Sequence, residues 1–119
     1  ERRSQADNRK VALERLRFRL AVEVRSPSPM DGYEIGSQEQ ELRTRFEGQP
    51  FKISDRNHDK PAVLALLLND LHACGGQPSA VGPVWDTSTS AIVRLIKSHP
   101  NAFTLLNRIR QHHDRLPLR

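Results

Sequence analysis

The 119-residue sequence has a single cysteine, few aromatic side chains and no long apolar run. Cys74 has no partner for an internal disulfide, which is typical of a reducing compartment such as the cytoplasm. No apolar stretch approaches the roughly 20 residues that span a bilayer, and the charged first residues do not resemble a secretory signal peptide. One tryptophan, one tyrosine and four phenylalanines predict a modest, mainly aliphatic core. We therefore expect one small, cytoplasmic domain that binds no membrane.

Basic residues outnumber acidic ones, and the excess is unevenly distributed. The chain carries 19 lysines and arginines against 14 aspartates and glutamates, for a net charge of +5. Residues 1–25 hold eight basic and four acidic groups, residues 26–60 five and seven, and residues 61–119 six and three. A basic surface attracts nucleic acid because binding releases counterions. The charge therefore allows nucleic-acid or ribosome contact, although solvated surface groups would give the same balance.

The apolar pattern predicts an all-α fold with a long N-terminal helix, a linker and a small bundle of three to four short helices. Residues 6–25 repeat with a helical period. Two apolar stripes lie on roughly opposite sides of this helix: Leu13, Leu16, Leu20 and Val24 on one, and Val11, Phe18 and Val22 on the other. Alone, such a helix exposes one stripe to water, which indicates that the chain is part of something larger.

Prolines end the first helix at Ser26–Pro29 and introduce a segment with few apolar residues. Residues 26–58 are predicted to be a linker, within which 39–46 favours a short helix and 51–53 a short strand. The third unit, 59–119, begins at Asp59 as a helix N-cap. Its helices are predicted to end at Gly75–Gly76 and at Val81, and then to cover about 88–98 and 100–113.

Residues 81–97 resemble a helix-turn-helix, with 88–97 in the place of the recognition helix. Gly82 and Pro83 weaken the first helix of that motif, and Asp86 stands where its tight turn usually has glycine. Three packed helices could carry the same residues for structural reasons alone. The candidate nucleic-acid contacts in this unit are Thr89, Ser90, Arg94, Lys97, Arg108 and Arg110.

The N-terminal stretch resembles the end of the catalytic domain of bacterial and organellar class-I peptide chain release factors and related ribosome-rescue hydrolases. In that family, Arg-Ser-Gln, a following asparagine and an Ala-x-x-x-Leu spacing introduce a long helix that packs on the catalytic sheet. The matching residues are Arg3, Ser4, Gln5, Asn8, Ala12 and Leu16. The likeness covers 1–25, about a fifth of the chain.

The resemblance implies a longer protein that hydrolyses the peptidyl-tRNA ester on the ribosome, through a Gly-Gly-Gln loop that precedes the Arg-Ser-Gln segment. This chain is expected to lack that loop and to have no hydrolase activity of its own. Gly75, Gly76 and Gln77 spell the same three letters, but they follow a leucine-rich helix and have no basic flanks. They are better explained as a helix C-cap, and we assign no catalytic residue.

Other site chemistries find little support in the sequence. His72 and Cys74 are two positions apart and would diverge on a helix, so they cannot share a metal. His112 and His113 lie near a helix end, where they favour the helix dipole. We predict no metal, cofactor or catalytic triad.

Three functions therefore stay open at this stage. The first is a docking module of a release-factor-like protein, which contacts ribosomal RNA, tRNA or a ribosomal protein during termination or rescue. The second is a DNA-binding helix-turn-helix domain. The third is a structural or oligomerising domain, in which the stripe of Val11, Phe18 and Val22 pairs with a copy of itself. The oligomeric state is not predicted.

Overall fold

The computed structural model describes residues 2–119, with side chains described from residue 4 onward. Within this part of the chain the fold is all-helical, with six α-helices, two short 3₁₀ turns and no strand. The helices are α1 (Arg2–Glu23), α2 (Ser37–Phe46), α3 (Lys60–Ala73), α4 (Pro78–Val81), α5 (Thr89–Lys97) and α6 (Pro100–His112). The 3₁₀ turns cover Pro29–Asp31 and Gly82–Trp85. The prediction of an all-α fold is confirmed.

Helix α3 lies at the centre of the molecule, where it packs against α1, α4 and α6. Five of its apolar side chains have no solvent exposure: Val63, Leu64, Leu67, Leu68 and Leu71. Pro61 is tolerated in the first turn of α3, since the amide it lacks would have no partner there. The side chain of Asp59 does not cap this helix. Its carboxylate instead pairs with Arg45 of α2 at 2.6 Å.

Helix α1 lies against the bundle with only its C-terminal half. All described side chains from residue 4 to residue 13 are exposed, and the molecule measures 50 Å along its longest axis. Phe18 and Val22 pack on the core, whereas Leu16 is 48% exposed. The other members of its stripe are also exposed: Leu13, Leu20 and Val24.

The prediction that the stripe of Val11, Phe18 and Val22 is exposed is therefore wrong for Phe18 and Val22, which pack on the core, whereas Val11 is 48% exposed. Sequence periodicity identifies two stripes but cannot rank them, and the packing partner decides which one is buried. Here the ring of Phe18 stacks on His99, with 4.9 Å between the ring centroids and 13° between the ring planes. The leucine stripe has no such partner within the described part of the chain.

Residues 26–58 contribute side chains to the core as well as connecting its helices. Phe51 and Ile53 are 3% and 7% exposed, and both belong to the central apolar cluster. The strand predicted for 51–53 is not formed, and these three residues have no regular secondary structure. The amide of Gly48 donates to the carbonyl of Trp85 at 2.8 Å, which ties the segment to the turn before α5.

A buried polar cluster centred on Asp70 holds this segment in place. The Asp70 carboxylate is fully buried and accepts hydrogen bonds from both terminal amino groups of Arg43, each at 2.9 Å. It also accepts from the hydroxyl of Ser28 at 2.7 Å and from the indole N–H of Trp85 at 2.8 Å. Arg43 additionally donates to Glu39 on its own helix. All four hydrogen bonds satisfy the buried carboxylate of Asp70, so the cluster fixes the position of 26–58 against α3.

We expect acid to weaken the packing of α1 on the bundle through His99. Its ring accepts the Ala102 amide at 3.4 Å at the start of α6, which requires a neutral ring. Burial first, and then the charge of Lys60, lower the pKa of His99 below its usual 6.5, while Asp55 acts in the opposite direction. A lowered folded-state pKa means that this stabilisation is fully present above pH 6.5 and is lost as the pH falls further.

The measurement is the thermal midpoint at about pH 7.5 and about pH 5 for the wild type and for His99→Asn. Asparagine is a good N-cap that does not titrate in this range, so it keeps the cap and removes the pH response. The wild type should lose more stability between the two pH values than the variant. Equal losses in both proteins would show that His99 is not responsible.

Candidate nucleic-acid interface

Helix α5 divides cleanly into a buried and an exposed face. Ala91, Ile92, Leu95 and Ile96 face the core, and the hydroxyl of Ser88 caps the helix by accepting the Ala91 amide at 3.1 Å. The exposed face lines an open groove of about 470 Å³. Four of the six candidate contacts share this groove: Thr89, Ser90, Arg94 and Lys97. These residues lie on successive turns of α5, so the helical repeat places them on one face, as the sequence predicts.

A second groove, of about 340 Å³, lies on the other side of Arg94. Its walls are Leu95 and Ser98 of α5 and the segment 51–54, which includes Lys52. Lys52 is not among the contacts predicted from the sequence, because its segment has the composition of a linker. Only the burial of the flanking Phe51 and Ile53 brings Lys52 next to α5, and no local pattern carries that information.

The charge around these two grooves is positive. Among the side chains that the structure describes, no acidic one lines either of them. Arg94 and Lys52 form no hydrogen bond or ion pair with any side chain that the structure describes. Lys97 donates to the main-chain oxygen of Arg119 at 3.0 Å and lies 5.5 Å above the ring of Phe103. The grooves therefore offer at least two uncommitted cations beside the hydroxyls and the positive N-terminal end of α5.

The structure does not place the two remaining candidates in these grooves. Arg108 is exposed on the outer side of α6. Arg110 is committed within the fold, since its guanidinium donates to the carbonyls of Gly76 and Leu116, each at 2.7 Å. Arg110 therefore holds the turn after α3 and the C-terminal tail, and its role as a nucleic-acid contact has no support here. Sequence alone cannot separate such an arginine from a free one, because Gly76 is 34 residues away and the Leu116 carbonyl reaches Arg110 only when the tail folds back.

Helices α4 and α5 are joined by a compact turn. Asp86 occupies the left-handed region, with φ 50° and ψ 44°, which aspartate tolerates better than most residues. Gly82 is needed before it, because an added Cβ would lie 2.9 Å from the carbonyl oxygen of Thr87. The first helix of the pair is short, since α4 has four residues before the 3₁₀ turn begins.

Most residues of the release-factor-like motif lie on the free part of α1. Ser4, Gln5, Asn8 and Ala12 are exposed, and Leu16 belongs to the exposed leucine stripe. The side chain of Arg3 lies outside the described residues. The motif thus occupies a helix segment whose described side chains leave room for another layer of protein.

The Gly75–Gly76–Gln77 sequence forms a helix C-cap. Both glycines have positive φ values, 69° and 83°, and the Gly76 amide donates to the Leu71 carbonyl at 2.7 Å. This is the bonding pattern that ends a helix with a left-handed residue. A Cβ on Gly76 would meet the side chain of Arg110 at 2.6 Å. The turn is packed between α3 and α6.

No cluster of three or more metal-ligating side chains occurs among the described residues. The thiol of Cys74 donates to the carbonyls of Leu71 and Gln77, and burial raises its pKa, which makes it a poor nucleophile. Within residues 2–119, no helix is both long and apolar enough to cross a membrane.

The sequence matches no protein-family model, and comparisons with curated proteins and with solved structures found no significant match. Any functional assignment therefore depends on the chain's own residues and their arrangement.

Proposed function

We propose that this chain is the C-terminal region of a release-factor-like protein and that it binds ribosomal RNA during translation termination or ribosome rescue. The observation that carries the binding role is the outer face of α5, where Arg94 and Lys97 share a groove with two hydroxyls and no carboxylate. Lys52 adds a third cation beside Arg94. Such surfaces hold phosphate oxygens, which fix position and do not read sequence.

The parentage rests on the motif of residues 1–25 and on the exposed stripe of α1. A leucine stripe that is about half exposed along three turns is stabilised when another layer of protein covers it. In the family that the motif resembles, this helix packs on the catalytic sheet. The hydrolytic chemistry would belong to that domain, and the present chain would supply docking only.

The second candidate function is DNA binding by a helix-turn-helix. The pairing of α4 with α5 across the tight turn at Asp86 favours it, and α5 would be the helix that enters the major groove. The short α4 weighs against this candidate, because the first helix of the motif normally supports the second along several turns.

The test is a salt-titrated binding assay against isolated ribosomal subunits, with non-specific duplex DNA as the competitor. We expect saturable binding that survives the competitor. Arg94→Ala and Lys97→Ala should each weaken it roughly three- to tenfold, and each should reduce the slope of log affinity against log salt by about 0.7. The Arg94 side chain is exposed and has no partner among the described residues, so Arg94→Ala should not change the thermal midpoint.

Arg56→Ala is the matched control, because Arg56 is an exposed arginine that lines neither groove. It should leave the binding unchanged. Equal and steeply salt-dependent affinity for the subunits and for duplex DNA would mean only a basic surface, whereas the second candidate requires a preference for a DNA sequence. If Arg56→Ala lost as much affinity for the subunits as Arg94→Ala, the binding would depend only on the overall charge of the chain.

A further inference from the structure

A third basic groove runs along the outer side of α6. It consists of two adjoining depressions, of about 480 Å³ towards α1 and about 510 Å³ towards the C-terminal tail. Thr104 and Arg108 line both depressions. Asn101 and Gln111 extend the same helix face at either end, since the spacing from 101 to 104, 108 and 111 follows the helical repeat. We call this feature the α6 trough.

The α6 trough is rich in groups that bind anions. Arg108, at its centre, has no hydrogen-bond or ion-pair partner among the described side chains. Arg115 uses only its Nε, which donates to the Gly75 carbonyl at 3.0 Å, so its terminal amino groups are uncommitted. Arg19 shares its charge with Glu23 at 3.1 Å, and Glu23 is the one carboxylate that lines the trough.

No aromatic side chain from residues 4–119 lines the trough, so this part of the chain offers no platform on which a base could stack. Apart from the Glu23 carboxylate, which pairs with Arg19, its polar groups are amides, one hydroxyl and arginines spread along a line. The Thr104 hydroxyl itself donates to the Pro100 carbonyl at 3.1 Å. A row of donors without a stacking surface suits a phosphodiester backbone, and does not suit recognition of particular bases.

The trough is separate from the grooves beside α5, since they share no lining residue. The tail that follows α6 forms one of its walls. Asn107 holds that tail through both of its polar atoms, which bond the main chain of Leu118 at 2.8 and 3.2 Å. Beyond this point Arg119 reaches Lys97 of α5. The tail therefore bridges α6 and α5. A nucleic acid could bind on both sides of the tail, in the α6 trough and in the grooves beside α5.

We infer that the α6 trough binds the phosphodiester backbone of an RNA strand as a second, sequence-independent contact, centred on Arg108. This inference rests on the proposed RNA-binding function and adds a site to it. With one contact on α5 and one on α6, the chain would hold its RNA at two places, which favours a folded RNA surface over a single short strand.

The test compares Arg108→Gln, Arg94→Gln and the control Arg56→Gln in binding to ribosomal subunits and to labelled poly(U) and poly(A) oligonucleotides. Glutamine removes the charge and keeps an amide. Arg108→Gln should weaken binding roughly three- to tenfold, by the same factor for both homopolymers, and reduce the salt slope by about 0.7. The effects of Arg94→Gln and Arg108→Gln should add, because the two sites share no partner.

The outcomes separate this inference from the proposed function. If Arg94→Gln weakens binding to the subunits and Arg108→Gln behaves like Arg56→Gln, the trough is not a contact although the function stands. If Arg108→Gln affects poly(U) and poly(A) by different factors, the trough reads bases and the inference is wrong. If the wild-type chain binds neither subunits nor homopolymers, both the function and the trough are refuted.

Discussion

Replacement of Asp70 by alanine will lower the free energy of unfolding by about 3–5 kcal/mol. The carboxylate has no solvent exposure and accepts four hydrogen bonds, two of them from the guanidinium of Arg43. Without it, Arg43 keeps a buried positive charge, and the indole N–H of Trp85 loses its acceptor. Glu39 would then be the one carboxylate left beside the buried guanidinium among the described residues. Removing one partner of a buried ion pair is strongly destabilising, which is why the expected loss is large.

Urea denaturation followed by far-ultraviolet circular dichroism measures this loss. The matched control is Glu41→Ala, which removes another carboxylate paired with an arginine, but on the surface, where Glu41 is 72% exposed. It should cost less than about 1 kcal/mol. A loss for Asp70→Ala as small as that of the control would show that the cluster does not hold 26–58 against α3.

The second large effect is a difference in the free energy of unfolding between variants of the two stripes of α1. Phe18→Asp should lower the free energy of unfolding by about 3 kcal/mol, because it removes an aromatic ring from the core and places a charge against the ring of His99. Leu16→Asp, two residues earlier on the same helix, should cost no more than about 1 kcal/mol, since Leu16 is half exposed. The intrinsic helix penalty of aspartate is similar at both positions, so it cancels in the comparison.

Urea denaturation at neutral pH measures the stability of Phe18→Asp and Leu16→Asp. The wild type is also studied by analytical ultracentrifugation at the same protein concentration. The ultracentrifugation shows whether copies of the chain cover the leucine stripe. If Leu16→Asp destabilised the chain as strongly as Phe18→Asp, the leucine stripe would be buried in solution, by self-association or by a different position of α1.

The helices and their ends could be predicted well from local chemistry. The leucine spacing of α3, the Gly75–Gly76 cap and the serine before α5 each act within a few residues, so the sequence around them carries the signal. For the same reason the exposed face of α5 was predictable, because helical spacing alone brings Thr89, Arg94 and Lys97 together.

The errors all concern contacts between distant segments. Phe51 and Ile53 show no helical period and lie in a stretch with few apolar residues, so nothing nearby marks them as core. Arg110 and Arg94 look alike in sequence, and only the carbonyls that the fold brings to Arg110 distinguish them. The two stripes of α1 were equally apolar, and the position of His99 decided between them.

The Asp70 cluster also makes the molecule easy to observe. Trp85 is the only tryptophan of the chain, is fully buried, and has the Arg43 guanidinium 4.9 Å from its ring and Phe51 at 5.7 Å. Its indole therefore contacts both the segment 26–58 and the central helix α3. Intrinsic fluorescence at this one position reports whether residues 26–58 are seated on the bundle, without any added label.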